Sequence, residues 1–179
     1  MDLNSFAQSV HESGLAEFMR SSLKAMPVVE SIHVFCAALV FGTILIVDLR
    51  MLGYPDTKRS FMRIHHELIP VTWVAFAVSV ITGVLMFAPN SITYVGNTAF
   101  RLKLLAILAA GINMAIFQLF TARSVANWDS DARAPSNARL AGALSILLWI
   151  AVIFLARWIG FTKGYDFTVP TDVQFDFSK

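Results

Sequence analysis

Glu30 and His33 stand three residues apart near the start of the first of four long apolar runs, so one helix would project both to neighbouring parts of its surface. Arg101 and Lys103 open the third run, and Arg157 lies near the end of the fourth. In an up-down-up-down bundle all of these fall on one side. Ionisable groups are costly inside a bilayer, and only those near helix ends escape by snorkelling, so each is a site candidate by default. A cluster of Glu30, His33, Lys103 and Arg157 near the noncytoplasmic face is therefore the main site expected. The structural alternative is an ion-pair lock holding the helix ends in register. The functional ones are a pocket for an anionic or quinone-like ligand and a proton relay through His33, whose protonation responds near neutral pH. Asn113, about 15 Å further along the third run by helical rise, extends the polar path toward the midplane or hydrogen-bonds a neighbouring span, for example at Ser145.

On the other face, Asp48 and Arg50 close the first run before Gly53, and His65, His66 and Glu67 open the second before Pro70. Glu67 and Pro70 are ordinary helix-start signals. Adjacent histidines point about 100° apart on a helix, so His65 and His66 do not share a metal. A b-type haem needs two axial ligands at matching depth, and His33 lies near one face while His65 and His66 lie near the other. That leaves haem held by His33 alone or with a methionine such as Met86, and a quinone near His33 as the other redox cofactor. No glycine-rich phosphate loop, zinc-protease motif or nucleophile elbow occurs, which speaks against an enzyme. Cys36, the single cysteine, excludes an internal disulfide and reads as a packing residue.

The elements that must hold these groups follow from composition. Of 179 residues, 56% are hydrophobic and 15% charged, well below the roughly 25% charged fraction of soluble domains. Four runs, Val28 to Val47, Leu68 to Ala88, Phe100 to Phe120 and Leu140 to Phe161, are long enough to cross a ~30 Å hydrocarbon core. The expected fold is all-α: a four-transmembrane-helix bundle over residues 28–161, preceded by an amphipathic interfacial helix in residues 1–27 and followed by an extramembrane tail, residues 162–179. In Phe6 to Met26 the apolar residues recur at helical spacing, with Arg20 and Lys24 toward the head groups and Pro27 separating the segment from the first span. The start of the chain does not read as a cleaved signal peptide. Gly142, Trp149, Ala156 and Gly160 form one stripe on the fourth span, a seam where a neighbouring backbone approaches, and Ala37, Ala38 and Gly42 and Ala106, Ala109, Ala110 and Gly111 offer the same on the first and third.

Basic residues split seven and seven between the two sides of this topology, so only the short loops decide orientation. Arg50, Lys58, Arg59 and Arg63, with Arg123, Arg133 and Arg139, mark one side as cytoplasmic and put both termini outside, in the periplasm. Tyr94 and Trp158 near one interface, and Tyr54 and Trp128 near the other, are aromatic anchors. The net charge of +2 without a Lys/Arg-rich block argues against nucleic acid as a partner. The tail from Lys163 to Lys179 is too polar to fold alone and would order against a partner.

Several strings resemble, together, a group of bacterial four-helix inner-membrane proteins catalogued as a domain of unknown function. These are Glu30-Ser-Ile-His33-Val, Gly42 through Asp48-Leu49-Arg50-Met51-Leu52-Gly53, Phe100-Arg101-Leu102-Lys103, and Arg139-Leu-Ala-Gly142-Ala-Leu-Ser145 with Trp149. The resemblance covers Met26 to Phe161; it implies the fold and a bacterial inner membrane, and no activity. It also implies that a histidine often stands where this chain has Gln118. A looser likeness joins the first helix, a His followed by small residues and Gly, to copper-resistance membrane proteins. The expected function is a noncatalytic accessory or assembly subunit of a larger membrane complex, or a homo-oligomer. The alternatives are an electron-transfer protein binding haem b or quinone near His33, and a small transporter or proton-linked sensor whose hydrated cavity runs from Glu30 and His33 toward Asn113.

Overall fold

The computed structural model describes residues 2–54, 61–117, 119 and 134–162, except the side chain of His65. Lys58, Arg59, Gln118, Arg123, Trp128, Arg133 and the tail from Lys163 lie outside the described residues. Among the described residues all regular structure is helical: α1 (Leu3–His11), α2 (Gly14–Ser21), α3 (Ala25–Leu52), α4 (Phe61–Phe87), a 3-10 turn (Ala88–Asn90), α5 (Ser91–Gly96), α6 (Thr98–Ile116) and α7 (Ser136–Thr162). Four stretches are long and apolar enough to cross a membrane: α3, α4 with its continuation to Gly96, α6 and α7. Their outer faces carry exposed side chains such as Phe35, Val74, Leu105 and Phe154, a surface suited to lipid and not to water. The chain is a multi-pass membrane protein with a four-helix bundle.

Three seams build the bundle, α3 on α4, α6 on α7 and α3 on α7, so the helices lie in the order α4, α3, α7, α6. Along the first seam the Thr43 and Thr72 hydroxyls are 2.7 Å apart, and Thr43 also reaches the Leu39 carbonyl at 2.8 Å and Thr72 that of Leu68 at 2.9 Å. Cys36, Val40 and Ala75 pack as one buried cluster there, which accounts for the cysteine. On the second seam Asn113 Nδ2 donates to the Ala141 carbonyl at 2.9 Å, and Asn97 Nδ2 to Thr162 Oγ1 at 2.9 Å. On the third, Gly142 is buried against α3; a Cβ there would stand 3.1 Å from the Asp48 carbonyl oxygen and 3.3 Å from Met51 Cε. Of the expected stripe on the fourth span, Gly142 is thus a backbone approach, whereas Ala156 is exposed and Gly160 has nothing within 4 Å of its would-be Cβ. Gly53 ends α3 at φ 89°, ψ 25°; its amide donates to the Arg50 carbonyl and that of Tyr54 to Leu49, a left-handed cap glycine adopts without Cβ strain.

Three expectations are corrected at the bundle mouth. The amphipathic segment is two helices, because Ser13 caps a new start by accepting from the Ala16 amide. Pro27 does not break it from the first span: the break comes at Ser22 to Lys24, and Pro27 sits in the first turn of α3, where its missing N–H costs nothing. The stretch Pro89 to Ala99, expected as a loop, is mostly helical. It forms a platform on which α1 and α2 rest, with Ser91 Oγ donating to the Ala7 carbonyl at 2.7 Å. Only Ala7, Ala16 and Met19 of α1 and α2 are buried, while Phe6, Leu15 and Phe18 stay exposed, the face an interfacial segment turns to acyl chains.

Candidate functional site

At the platform end, the helices do not gather the expected polar cluster into one contact. His33 is half-buried on the α3–α4 seam, its Nδ1 2.9 Å from the Ser79 carbonyl and 3.0 Å from Thr82 Oγ1. Its Cε1 lies where a Cβ on Gly83 would come within 3.3 Å, so the glycine makes room for the ring. Glu30 and Lys103 lie within electrostatic reach of His33. Glu30 is exposed, however, and among the described residues the ion pairs are Arg20–Glu17 and Arg63–Glu67, so no lock joins Glu30 to Lys103 or Arg157. Lys103 instead lies over the Phe100 ring at 5.1 Å and Arg157 over Phe161 at 5.9 Å. Phe100 stacks in turn with Phe87 and Tyr94, with centroids 5.3 to 6.2 Å apart. Each of these cations lies over a ring three or four residues away on its own helix.

Asn113 belongs elsewhere, at the other end of the bundle. Its partner is the α7 backbone at Ala141 and not Ser145; Ser145 is the hydrogen-bonding neighbour of Asp48. Both residues line a cavity of about 170 Å³ enclosed by α3, α4, α6 and α7. Val40, Val47, Asp48 and Met51 supply its buried back wall from α3. Thr72, Trp73 and Phe76 come from α4, Gly111, Asn113 and Phe117 from the α6 side, and Ser145 and Trp149 from α7. Trp73 and Gly111 are the exposed residues of this lining, and they stand on α4 and α6, the outer two helices of the order, which share no extensive seam. The cavity therefore opens sideways, between α4 and α6, toward lipid.

The polar groups in this cleft are few and unevenly matched. Asp48 is 3% exposed, and its Oδ2 has no hydrogen-bond partner among the described residues. A buried acceptor left open costs roughly 1–3 kcal/mol, more for a charged group, so an orphan of this kind points to a role. The Asn113 amide nitrogen is taken by Ala141, and its oxygen is open. Thr72 and Thr43 spend their hydroxyl protons on each other or on carbonyls of the preceding turn.

Sequence reading passed over Asp48 because Asp48-x-Arg50 before Gly53 reads as a helix ending. Its one available signal was position: Asp48 follows Val40, Ile44 and Val47 on the inward face of α3, and Gly142 lets α7 close over it. Arg50 is likewise buried, at 2% exposed. His66 and Glu67 are exposed, and Glu67 pairs with Arg63 at 3.0 Å. Met86 is half-buried. No group of three or more His, Cys, Asp or Glu able to hold a metal occurs among the described residues. The cavity does not reach His33, since its α3 lining begins at Val40, about 10 Å along the helix.

Fold and cleft define a four-span helical membrane protein with a lateral, lipid-facing cavity. The chain belongs to a family of unknown function, DUF6644, whose model matches residues 23–162. That match takes in the whole bundle and leaves out α1 and α2. No curated protein and no solved structure matches the chain.

Proposed function

We propose that this protein is a noncatalytic binding subunit of the bacterial inner membrane that holds a small, mostly apolar molecule in the cleft between α4 and α6. The observation that carries this is the buried Asp48 carboxylate with an open oxygen, set in an otherwise apolar and aromatic cavity that faces lipid. Ligand sites characteristically combine apolar walls with a few convergent polar groups. An engineered apolar cavity of about 150 Å³ takes up benzene, so about 170 Å³ suits one ring-sized group. A haem is far larger than that. At His33 the Nδ1 is engaged by Ser79 and Thr82, which leaves Nε2 as the nitrogen a haem or quinone would use. For transport, the lining of this cavity includes Asn113 but neither Glu30 nor His33. The loop cations support a cytoplasmic cleft end with both termini in the periplasm.

The test is to purify the chain in mild detergent from its native membrane and identify small molecules in an organic extract. A stoichiometric compound is expected in the wild type and absent from Ala110→Leu, which adds carbons at a buried position of the cavity wall. An extract holding only bulk lipid, the same as that of an unrelated multi-pass protein, would rule the reading out. Polypeptides retained in the same sample test the subunit assignment, and a Soret band lost in His33→Ala would instead make it a haem protein.

A further inference from the structure

The cleft's polar chemistry narrows what it takes. Asp48 contributes an open acceptor oxygen, Asn113 contributes its Oδ1, and Thr72 has spent its proton within the protein. Apart from the two indoles and the second hydrogen of the Asn113 amide, the polar groups on this wall are acceptors. A guest that brings donors matches the open Asp48 and Asn113 oxygens. No described lysine, arginine or histidine is in salt-bridge contact with Asp48, so a guest that also brings positive charge balances a carboxylate which the described residues leave unbalanced. Trp73, Phe76, Phe117 and Trp149 line the rest of the cavity, and aromatic faces attract cations.

Depth agrees with chemistry. Asp48 lies about ten residues beyond the middle of α3, or ~14 Å, which is the edge of a ~30 Å hydrocarbon core. Trp149 sits at the middle of α7, Phe76 close to the middle of α4 and Val40 close to that of α3. The cavity thus runs from the bilayer midplane to one interface, apolar at its deep end and acidic at its shallow end. A molecule entering sideways from that leaflet, with an ammonium group at the interface and a hydrophobic body pointing inward, already has the orientation the cleft requires. A two-chain lipid is too large for about 170 Å³, whereas one ring on a short amine is not.

We propose that the cleft is a site for a small lipophilic amine, bound as its ammonium form to Asp48 with its apolar body against Trp149 and Phe76. This rests on the cleft being a binding site, and the following test separates the two. Benzylammonium and benzyl alcohol, alike in shape and different in charge, are titrated at pH 7 by calorimetry into the full chain in nanodiscs, with empty nanodiscs subtracted. The amine is expected to bind at least tenfold more tightly than the alcohol. Asp48→Asn should bring the ratio close to one, and Asp48→Glu should keep the amine preferred. Equal affinity of the two probes for the wild-type chain, or a ratio unchanged in Asp48→Asn, overturns the amine while leaving the cleft a site for neutral guests. No binding of either probe removes the site itself. The wild-type ratio is readable even if a variant does not fold.

Discussion

Replacing Gly142 by alanine probes the seam on which the cleft depends. A methyl at that position would stand 3.1 Å from the Asp48 carbonyl oxygen and 3.3 and 3.4 Å from Met51 carbons, so α3 and α7 must separate by a few tenths of an ångström. Backbone oxygen is the closest atom, and it cannot swing aside as a side-chain end does. Overpacking of this kind costs about 1–3 kcal/mol. Alanine also recovers roughly 1 kcal/mol of helix propensity, which Gly42→Ala, with nothing within 4 Å of its added Cβ, recovers without the clash. The difference between the two variants isolates the seam: Gly142→Ala is expected to be less stable than Gly42→Ala by about 1–3 kcal/mol. Reversible unfolding in mixed micelles, followed by far-UV circular dichroism, measures it. Equal stability of the two variants would refute a close α3–α7 approach, and with it the closure over Asp48.

Thr72→Val should destabilise the α3–α4 seam by about 0.6 kcal/mol, with ~1.7 as an upper bound, and a double-mutant cycle with Thr43→Val should show that the two effects are not additive. Ser91→Ala, by removing the 2.7 Å bond to Ala7, should loosen α1 by about 1 kcal/mol and raise amide exchange in Leu3–His11 about fivefold, with α6 and α7 unchanged. Gly83→Ala, placed 3.3 Å from His33 Cε1, should shift the His33 ring resonances in NMR spectra, whereas Gly160→Ala should not. Lys103→Met should leave stability within about 0.5 kcal/mol, because the cation lies over Phe100 and closes no ion pair among the described residues.

The spans were legible because length and apolar continuity answer to the thickness of the bilayer and need no knowledge of neighbours. The break at Ser13 was legible in principle, as a capping serine before Gly14, but regular apolar spacing on both sides masked it. The polar cluster expected at the platform end does not meet in one contact, and the Asp48 cleft at the other end was not anticipated. Spacing within one helix places neighbours on a face but does not give how that face is turned toward the other helices. Lys103 and Arg157 share a level with Glu30, yet each lies over a ring of its own helix, Phe100 and Phe161. Asp48 looked like a terminal residue and is buried because α7, brought close at Gly142, covers it. Asn113 was read correctly as a contact to a neighbouring span and wrongly as one to Ser145, since a backbone carbonyl leaves no trace in the side-chain pattern.

The three-seam order gives the molecule a mechanical character. Helices α3 and α4 form one pair and α6 and α7 a second; they meet along the α3–α7 seam, and α4 also reaches the α6 side at both ends, where Phe87 stacks on Phe100 and Phe61 packs edge-on against Phe117. Those ring contacts make the space between α4 and α6 a slot closed at its two ends and open along its middle. Gly142 lies on the seam behind it, and Trp73 and Gly111 stand on its two sides. A guest of the proposed kind would press on α4 and α6 between two fixed ends, so its girth would be limited by how far two long helices bow and not by the swing of a hinge.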